Sequence, residues 1–387
     1  MKLNTKRSKL PLSKSNPAAL LSVFGNEKLL PMWVADMDFE IAKPIQKALK
    51  KRITHSGFGY EYKPDSFFIA QKKWYQKKYQ LNLQKEQIVY APSITSSLAI
   101  IIEKYSKEKE GIIIQPPVFM EFKSVIRKLQ RRIITNPLKL EGNNYKIDFK
   151  DLEKKAQLEN NKIMILCNPH NPVGRVWKKE ELDKIVSICK ENNILLVSDE
   201  IHKDIILFDH QFTSLLHYTK KWHKIIVCTS EAKTFNLCSI TDAMIIIPDD
   251  EIRNSITSIL KKYNLGSTNA LNRIALETAY KKGDKWLKEL LKTIENNVKI
   301  IENTLLDSDI KLIKPEGTYL VWLDFRDCFP DTKEMFNYLT KHTKIAMNAG
   351  HWFGREGALF MRINIATSPK KVKKAIQKIV TVTKMYS

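Results

Sequence analysis

The apolar residues in the middle of the chain occur in short runs that do not alternate with polar residues. Such runs predict strands that are covered on both faces, as in a parallel sheet packed between helices. Amphipathic segments separate several of them; in residues 178–192, Ile185, Ile188 and Cys189 recur at helical spacing. The pattern therefore predicts an α/β fold with a mainly parallel sheet. The predicted strands span residues 87–91, 111–115, 162–167, 194–198, 224–229 and 243–247.

The last quarter of the chain has a different pattern. Residues 284–304 are predicted to form one long helix, and residues 369–383 a closing helix. Between them, residues 317–325 and 359–365 predict two further strands. This arrangement is typical of a smaller α+β unit.

No repeat, low-complexity tract or linker rich in proline and glycine divides the chain. We therefore expect a large α/β domain at residues 45–285, with residues 1–44 and 286–387 forming a smaller α+β domain. A ligand-binding cleft is expected between the two.

The charge of the chain is strongly basic. Its 387 residues include 65 Lys and Arg against 42 Asp and Glu, a formal charge of +23, while 43% hydrophobic residues exclude intrinsic disorder. Such a charge raises the hypothesis of a regulatory protein that binds nucleic acid. Basic residues cluster only modestly, at residues 2–14 and 128–132, and otherwise lie beside Glu on amphipathic helices. We favour the explanation that most of these basic residues lie on solvated helix faces, so no nucleic-acid partner is expected.

The five cysteines form no CxxC pair, and their number is odd. In a chain of this length they indicate reduced thiols, which predicts a cytoplasmic protein. The basic N-terminus is followed only by a short apolar stretch at residues 17–24, so no signal peptide is expected. No run approaches the roughly 20 apolar residues of a membrane helix, and no membrane association is expected.

Several common catalytic motifs do not occur. The sequence contains no GxGxxG, no GxxxxGK[ST], no HExxH and no GxSxG, and its eight His show no metal-ligand spacing. No metal site is therefore expected.

Polar residues instead follow three of the predicted strands, in the segments 167–174 (CNPHNPVG), 198–202 (SDEIH) and 230–236 (SEAKTFN). Each segment taken alone has an ordinary explanation. The first could be a turn, the second could contain a carboxylate paired with a cation, and the third could contain a surface lysine. The carboxyl ends of parallel strands, however, meet at one edge of a sheet, where ligands bind.

A pyridoxal 5′-phosphate cofactor requires this combination of groups. It needs a lysine for covalent attachment, an acid at its pyridine nitrogen, donors at its phenolic oxygen and a cradle for its phosphate. Residues 91–97 (APSITSS) follow a predicted strand and open a helix, whose first N–H groups bind phosphate without a glycine-rich loop. An ordinary N-cap cluster is the alternative explanation of these hydroxyls.

The chain resembles the fold-type I PLP-dependent enzymes, and within them the MalY/PatB-type cysteine C–S β-lyases. The resemblance runs in family order along nearly the whole chain, and the MWVADMDF and DEIH strings are specific to this branch. The segments that carry it are residues 30–39 (LPMWVADMDF), 59–60 (GY), 117–119 (PVF), 168–174 (NPHNPVG), 199–202 (DEIH), 233–236 (KTFN), 317–319 (GTY), 350–354 (GHWFG) and 362–364 (RIN).

The resemblance implies roles for the residues around the cofactor ring. Lys233 matches the lysine that attaches the cofactor, and Asp199 matches the partner of the pyridine nitrogen. Asn171 and His202 match the groups at the phenolic oxygen, and Phe119 matches the aromatic residue that stacks on the ring. The family usually has Tyr at the position of Phe119.

The resemblance also assigns the phosphate and substrate contacts. The backbone N–H groups of Ile94 and Thr95, with the hydroxyl of Ser230, match the phosphate cradle. Tyr60 matches a tyrosine that reaches the phosphate of the neighbouring subunit, which implies a homodimer.

Two further residues match the substrate contacts of the family. Arg362 matches the clamp on the α-carboxylate of the substrate, and the backbone of Ala35 would lie near the same carboxylate. The substrate implied is a small sulfur-containing amino acid.

The function implied is β-elimination from cystathionine or a related cysteine S-conjugate, which gives a thiol, pyruvate and ammonia. A class I/II aminotransferase is the alternative, because it would use the same lysine and the same cofactor. Departures from the family pattern, such as Ala232 before the lysine and the segment 238–240 (CSI), bear on substrate preference rather than on the cofactor.

Overall fold

The structure, a computed structural model, describes residues 1–4, 10–266 and 269–386. In these ranges the strands are β1 (Leu30–Pro31), β2 (Ile88–Ala91), β3 (Gly111–Ile114), β4 (Arg132–Thr135), β5 (Lys139–Glu141), β6 (Asn144–Lys146), β7 (Asn161–Cys167), β8 (Leu195–Asp199), β9 (Ile225–Thr229), β10 (Ala243–Ile246), β11 (Lys311–Ile313), β12 (Leu320–Asp324), β13 (Ile345–Ala346), β14 (Asn348–Ala349) and β15 (Phe360–Asn364). The α-helices are α1 (Pro17–Phe24), α2 (Lys43–Thr54), α3 (Asp65–Tyr79), α4 (Ile94–Tyr105), α5 (Met120–Lys128), α6 (Phe149–Ala156), α7 (Lys179–Glu191), α8 (Ala232–Phe235), α9 (Asp250–Lys262), α10 (Ala270–Lys282), α11 (Asp284–Leu305), α12 (Thr332–Thr343) and α13 (Pro369–Lys384).

The larger sheet contains seven strands in the order β2, β10, β9, β8, β7, β3, β4. All of them run parallel except β10, which is antiparallel to both β2 and β9. Helices follow most of the parallel strands and return the chain to the same end of the sheet. The predicted α/β class with a mainly parallel sheet is therefore confirmed.

Both faces of this sheet are buried. On β3, Ile112 and Ile114 pack into one apolar cluster, whereas Ile113 packs into another on the opposite face. Successive side chains of a strand point to opposite faces. Helices on both sides therefore require apolar residues at every position, and this explains the runs that do not alternate.

A smaller antiparallel sheet lies in the C-terminal part, in the order β11, β12, β15, β14. Trp322 of β12 stacks on Phe360 of β15, with ring centroids 5.2 Å apart. The long helix α11 is tied to this sheet because the Asn297 amide donates to the carbonyls of Ile365 and Thr367, at 2.8 and 2.9 Å. In the N-terminal segment, β1 pairs in parallel with β13.

The predicted elements agree with those observed to within a few residues. The sequence pattern nevertheless missed β4, an edge strand, because its side chains are exposed or half-buried and its first residue is Arg132. It also did not predict the reversed direction of β10, because a buried antiparallel strand has the same composition as a parallel one. The domain bounds inferred from the sequence stay a prediction.

Basic residues on the exposed face of α2 are solvated, although this helix contains no acidic residue. On α2, the side chains of Lys43, Lys47, Lys50 and Lys51 are exposed, while Ile45 on the other face is buried. The five cysteines are free; the cytoplasmic location expected from them stays a prediction. Within the described ranges, no helix combines the length and the apolar character needed to cross a membrane.

Candidate active site

Three neighbouring strands of the large sheet end at the same edge. The Asn168 N–H donates to the carbonyl of Asp199 at 2.9 Å, which aligns the ends of β7 and β8. The Glu200 N–H donates to the carbonyl of Cys228 at 2.8 Å and aligns β8 with β9. The polar segments that follow these strands are therefore brought together, as predicted from their position at the carboxyl ends of parallel strands.

Lys233 lies on the short helix α8, directly after β9. Its Nζ donates to the carbonyl of Ala35 at 2.7 Å and lies 3.7 Å from the Sγ of Cys238. The Tyr319 hydroxyl donates to the same Ala35 carbonyl at 2.9 Å. Asn236 ends α8 in the left-handed conformation, and its side chain accepts from the N–H of Met37 at 3.0 Å. The loop at Ala35 and the lysine turn are thus fixed to each other.

Arg362 lies on β15 and is 4% exposed. Its Nη1 donates to Asn171 Oδ1 at 2.9 Å, and its Nη2 donates to the carbonyl of Trp33 and to Asn348 Oδ1, at 2.9 and 2.7 Å. Its Nε is buried and has no hydrogen-bond partner within the described ranges. Burial lowers the pKa of this guanidinium to about 9.

No carboxylate pairs with Arg362 among the residues that the structure describes. A buried cation without a counter-charge is costly. The site is therefore suited to an anionic ligand that approaches this guanidinium.

Asp199 is buried at the end of β8, where its Oδ1 accepts the N–H of Ile201 at 3.1 Å. Burial raises the pKa of this carboxyl to about 7, although the nearby ammonium groups of Lys233 and Lys203 act in the opposite direction. The ionised form of such a buried carboxyl is stabilised by a cationic hydrogen-bond donor. The protonated nitrogen of a pyridine ring is such a donor.

His202 is 3% exposed. Burial lowers the pKa of its imidazole to about 3, assisted by the positive charges of Lys233 and Arg362, so the ring is neutral at pH 7. Its Nδ1 is buried and has no hydrogen-bond partner in the described part of the chain. A neutral ring with a free buried nitrogen is suited to a hydrogen bond with a polar ligand atom.

The predicted phosphate cradle lies at the start of α4. Ser93 caps this helix, and its Oγ accepts the N–H of Ser96 at 3.1 Å. The N–H groups of Ile94 and Thr95 lie in the first turn, where no helical acceptor precedes them. Ala91, at the end of β2, pairs with Ala243 of β10. This pairing directs the start of α4 to the edge where β9 ends.

Ser230 follows β9 at the same edge. Its hydroxyl donates to the carbonyl of Asp242 at 2.9 Å and accepts the N–H of Ala232 at 3.3 Å. Phe119, after β3, is half-buried at the start of α5 and contacts Phe122 edge-on. The position of Phe119 is compatible with a ring contact, whereas the Ser230 hydroxyl would have to turn away from the Asp242 carbonyl in order to donate to a phosphate.

Tyr60 does not belong to the site of its own chain. It is fully exposed in the segment between α2 and α3, together with Phe58 and Tyr62. Of the predicted site residues it is the one that a single chain leaves in solvent.

A cavity of about 580 Å³ opens beside Lys233. Its lining includes Ala35, Asp36, Cys238 and Ser239, together with Leu10, Leu12 and Ser13 of the N-terminal segment. Its position next to Lys233 makes it the candidate substrate cavity.

A buried lysine, Lys14, fixes the N-terminal segment that contributes to the lining of this cavity. Lys14 Nζ donates to Asp38 Oδ1 at 2.9 Å, and Lys371 Nζ donates to the other oxygen of that carboxylate, also at 2.9 Å. The Trp33 indole N–H donates to the carbonyl of Lys14 at 2.9 Å. These bonds connect the cavity wall to α13.

The donor set fits pyridoxal 5′-phosphate. An amine at Lys233, a buried acid at Asp199, a free imidazole nitrogen at His202 and the first turn of α4 correspond to the four requirements of this cofactor. A metal is not required by these groups, and no cluster of three or more metal-ligating side chains occurs among the described residues.

A family model described as aminotransferase class I and II matches residues 36–379. The chain belongs to this family. It is 35% identical to cystathionine beta-lyase PatB of Bacillus subtilis over 92% of this chain and 93% of that protein. It is 30% identical to protein MalY of Escherichia coli over 91% of each chain. The resemblance stated from the sequence is therefore confirmed.

The crystal structure of cystalysin from Treponema denticola, which contains a pyridoxal 5′-phosphate cofactor, superimposes with a TM-score of 0.90. It is 32% identical and covers 94% of this chain and 93% of that chain. The fold-type I assignment is thereby confirmed.

Sequence reasoning missed several residues that shape the site in this family member. Tyr319, Asn348 and the carbonyl of Trp33 fix Ala35 and Arg362. Tyr319 and Trp33 lie in segments that carried the resemblance, but only the three-dimensional structure reveals these contacts. Asn348 had no signal in the sequence.

The Asp38 carboxylate predicts an acid dependence of stability. Burial alone would raise its pKa, but the ammonium groups of Lys14 and Lys371 hold that pKa well below its usual range. Its contribution is therefore present above the unfolded pKa of about 4 and is lost as the pH falls further. Asp38→Asn should lower the free energy of unfolding at pH 7 by about 3 kcal/mol. Urea unfolding at pH 7, 4 and 3 measures this.

The variant should also show a shallower loss of stability between pH 4 and 3 than the wild type, because the contribution of the Asp38 carboxylate is lost only below its unfolded pKa. Asp65→Asn is the control, because its ion pair with Lys85 is exposed and should contribute less than about 1 kcal/mol. An unchanged pH dependence in Asp38→Asn would contradict the assignment.

Proposed function

We propose that this protein is a PLP-dependent C–S β-lyase that cleaves cystathionine or related cysteine S-conjugates to a thiol, pyruvate and ammonia. The observation that carries the proposal is the buried, uncompensated guanidinium of Arg362 beside the edge where Lys233 and Asp199 meet. One relative covering most of the chain is named a cystathionine beta-lyase, at 35% identity. An amino-acid carboxylate is the anion that such a site would accept.

The cofactor would be held by groups from several elements. The Lys233 amine would attach it, Asp199 would face its ring nitrogen, and Asn171 and His202 would face its phenolic oxygen. Phe119 would cover the ring. The first-turn N–H groups of Ile94 and Thr95 and the hydroxyl of Ser230 would bind its phosphate.

Arg362 would bind the α-carboxylate of the substrate. Its guanidinium is oriented by acceptors on three different segments, so it is held rigidly before the substrate arrives. A planar guanidinium binds a carboxylate through two parallel hydrogen bonds, and burial strengthens them. The Ala35 loop would close the other side of the carboxylate.

Lys233 would then carry the proton-transfer step. When bound, pyridoxal phosphate supplies an aldehyde for the substrate amine and a ring that withdraws electrons from Cα. The Lys233 amine, freed from the cofactor when the substrate amine takes its place, would remove the Cα proton as general base. Asp199 keeps a proton on the ring nitrogen. The thiolate then leaves from Cβ, and hydrolysis of the remaining fragment gives pyruvate and ammonia.

Transamination is the second candidate. The matching family model is named for aminotransferases, and the same lysine would serve by returning the proton to the cofactor carbon rather than allowing Cβ–S cleavage. The lyase is favoured because the similar proteins named above include a cystathionine beta-lyase.

The test is an assay of the purified holoenzyme with cystathionine and no keto acid. We expect visible absorbance from bound cofactor and the release of pyruvate and a thiol. Lys233→Ala should lower turnover by about 10²–10⁴-fold or more, because it removes the general base and the attachment point. Visible spectra and a pyruvate assay measure both effects.

Lys221→Ala is the matched control, since Lys221 is an exposed lysine paired with Asp183, and it should have no effect. Strict dependence of turnover on a keto acid would contradict the lyase and favour the aminotransferase. A wild type that stays colourless after reconstitution would contradict the cofactor.

Arg362→Lys tests the substrate clamp. Lysine keeps the charge but cannot make the paired hydrogen bonds or satisfy the three acceptors around Arg362. We expect kcat/KM for cystathionine to fall by about 10²-fold, because each charge-assisted bond contributes roughly 1.5–3 kcal/mol. Steady-state kinetics measure the loss. Arg326→Lys is the control, at a half-exposed arginine bound to Asp324; equal kinetics in both variants would refute the clamp.

The site would be completed by a second copy of the chain. Tyr60 is fully exposed in an aromatic segment with Phe58 and Tyr62, and large exposed aromatic residues are typical of protein interfaces. In a homodimer, Tyr60 would reach the phosphate of the neighbouring subunit.

Mixing two inactive variants tests this arrangement. A dimer of one Tyr60→Ala chain and one Lys233→Ala chain contains one site with both residues intact. Equal mixing should therefore restore roughly one quarter of the wild-type activity. A wild type that sediments as a single chain, or mixed variants that recover no activity, would contradict the shared site.

A further inference from the structure

A cluster of buried charges lies next to the lysine turn, outside the groups assigned above. Lys203, Asp204 and Glu231 are 1%, 7% and 0% exposed. Lys203 and Asp204 follow the end of β8, and Glu231 immediately precedes α8, the helix that carries Lys233. The cluster therefore joins the turn after β8 to the lysine turn.

Lys203 is the centre of the cluster. Its Nζ lies 2.6 Å from Thr229 Oγ1, 3.1 Å from Glu231 Oε1 and 4.0 Å from Asp204 Oδ2. Burial alone would lower its pKa, but the negative charges around it hold the pKa above its usual range. Lys203 is therefore a buried ammonium group.

Asp204 connects the cluster to α8 at a second point. Its Oδ2 accepts the hydroxyl of Thr234 at 2.9 Å, and its Oδ1 accepts the indole N–H of Trp74 at 3.2 Å and the hydroxyl of Tyr79. Thr234 is the residue after Lys233. Glu231, which precedes Ala232, thus belongs to the cluster, and Thr234, which follows Lys233, is bound to it.

The helix α8 needs such external support. It contains only four residues, which is too short to be stable by its own hydrogen bonds. After it, Asn236 is bound to the N-terminal segment through Met37 and Phe39. Glu231, immediately before α8, and Thr234, within α8, connect the helix to the cluster.

The cluster is not arranged for stability alone. Buried ion pairs generally stabilise a fold no better than apolar side chains of similar volume. What an ion pair adds over apolar packing is a directional restraint.

We propose that the Lys203–Glu231 ion pair acts, with Asp204, as a positioning device that fixes the lysine turn and so sets where the Lys233 amine meets the cofactor and the substrate. This inference rests on the proposed function, because it takes Lys233 to be the lysine that attaches the cofactor. Lys203 and Glu231 touch neither the substrate nor the reacting atoms. They act through the backbone that carries Lys233, and the charge of Lys203 also opposes the rise in the pKa of Asp199.

The test separates position from stability by removing both charges together. The double variant Lys203→Met, Glu231→Gln leaves no uncompensated charge of the pair and preserves side-chain length. The single variants Lys203→Met and Glu231→Gln each leave one buried charge without its partner. Both should therefore have a lower Tm than the wild type. The holoenzymes are compared by thermal unfolding, steady-state kinetics, the dissociation constant of the cofactor and the visible circular dichroism of the cofactor band.

We expect the double variant to recover a Tm within a few degrees of wild type. Its kcat should nevertheless stay at least fivefold lower with KM changed less than twofold, and its visible circular dichroism should be weaker, because the cofactor is held at a less defined angle. A double variant with wild-type kcat and wild-type circular dichroism would overturn the inference. Because this comparison uses the double variant, it does not depend on whether the single variants fold.

The control is an ion pair that is not attached to α8, between the buried Arg175, which also pairs with Glu181, and the half-buried Glu316. Arg175 Nε lies 2.9 Å from Glu316 Oε2, and Arg175 is 4% exposed. The double variant Arg175→Met, Glu316→Gln should lower Tm without changing the cofactor band or kcat. Equal losses of kcat and of the cofactor band in both double variants would overturn a specific positioning role.

The outcomes for this inference and for the proposed function are distinguishable. A wild-type protein that shows no cofactor band refutes the proposed function and this inference with it. A wild type with a cofactor band and lyase turnover, beside an unaffected double variant, refutes the positioning role alone.

Discussion

The hydrogen bond between Arg362 and Asn171 joins the two sheets at the site. Arg362 belongs to the antiparallel sheet, whereas Asn171 lies in the turn after β7 of the large sheet. The same guanidinium also binds the carbonyl of Trp33 in the N-terminal segment. Because the cation is buried and each of its acceptors lies on a different segment, a shift of any one would leave a buried donor unpaired. This constraint fixes the cleft before any ligand enters it.

The lysine turn is constrained in a similar way from two sides. On one side, Ala35 accepts hydrogen bonds from both Lys233 and Tyr319, so the N-terminal loop, α8 and the start of the small sheet share one carbonyl. On the other side, the buried charges of Lys203 and Glu231 contact the beginning of α8. The four-residue helix is thereby defined by its surroundings rather than by its own sequence.

Burial, rather than the overall charge of the chain, sets the electrostatics of the site. The +23 charge lies largely on solvated helix faces such as that of α2. In the site, burial raises the pKa of Asp199 to about 7 and lowers that of His202 to about 3. A cofactor with a cationic ring nitrogen would compensate the first group and hydrogen-bond to the second. The same residues in an exposed loop would have neither property.

The sequence by itself predicted the fold class, which is confirmed, and it predicted which candidate site residues lie at one edge of the sheet. Apolar runs that do not alternate with polar residues predict a sheet that is covered on both faces. Polar segments that follow neighbouring parallel strands lie at one edge of such a sheet, and this places Asn171, Asp199 and Lys233 together. Local pattern could not determine the direction of β10, the edge strand β4 or the contacts of Asn348, because these depend on neighbours far away in the chain.

Only the tertiary structure decided two further features. Lys203, Asp204 and Glu231 look like ordinary charged residues in the sequence, and folding alone buries them against one another. Tyr60 matched a family position in the sequence, but the fold of one chain leaves it in solvent. In both cases the physical reason is the same. Whether a side chain is buried depends on how the folded molecule packs, and the residues next to it in the sequence do not determine this.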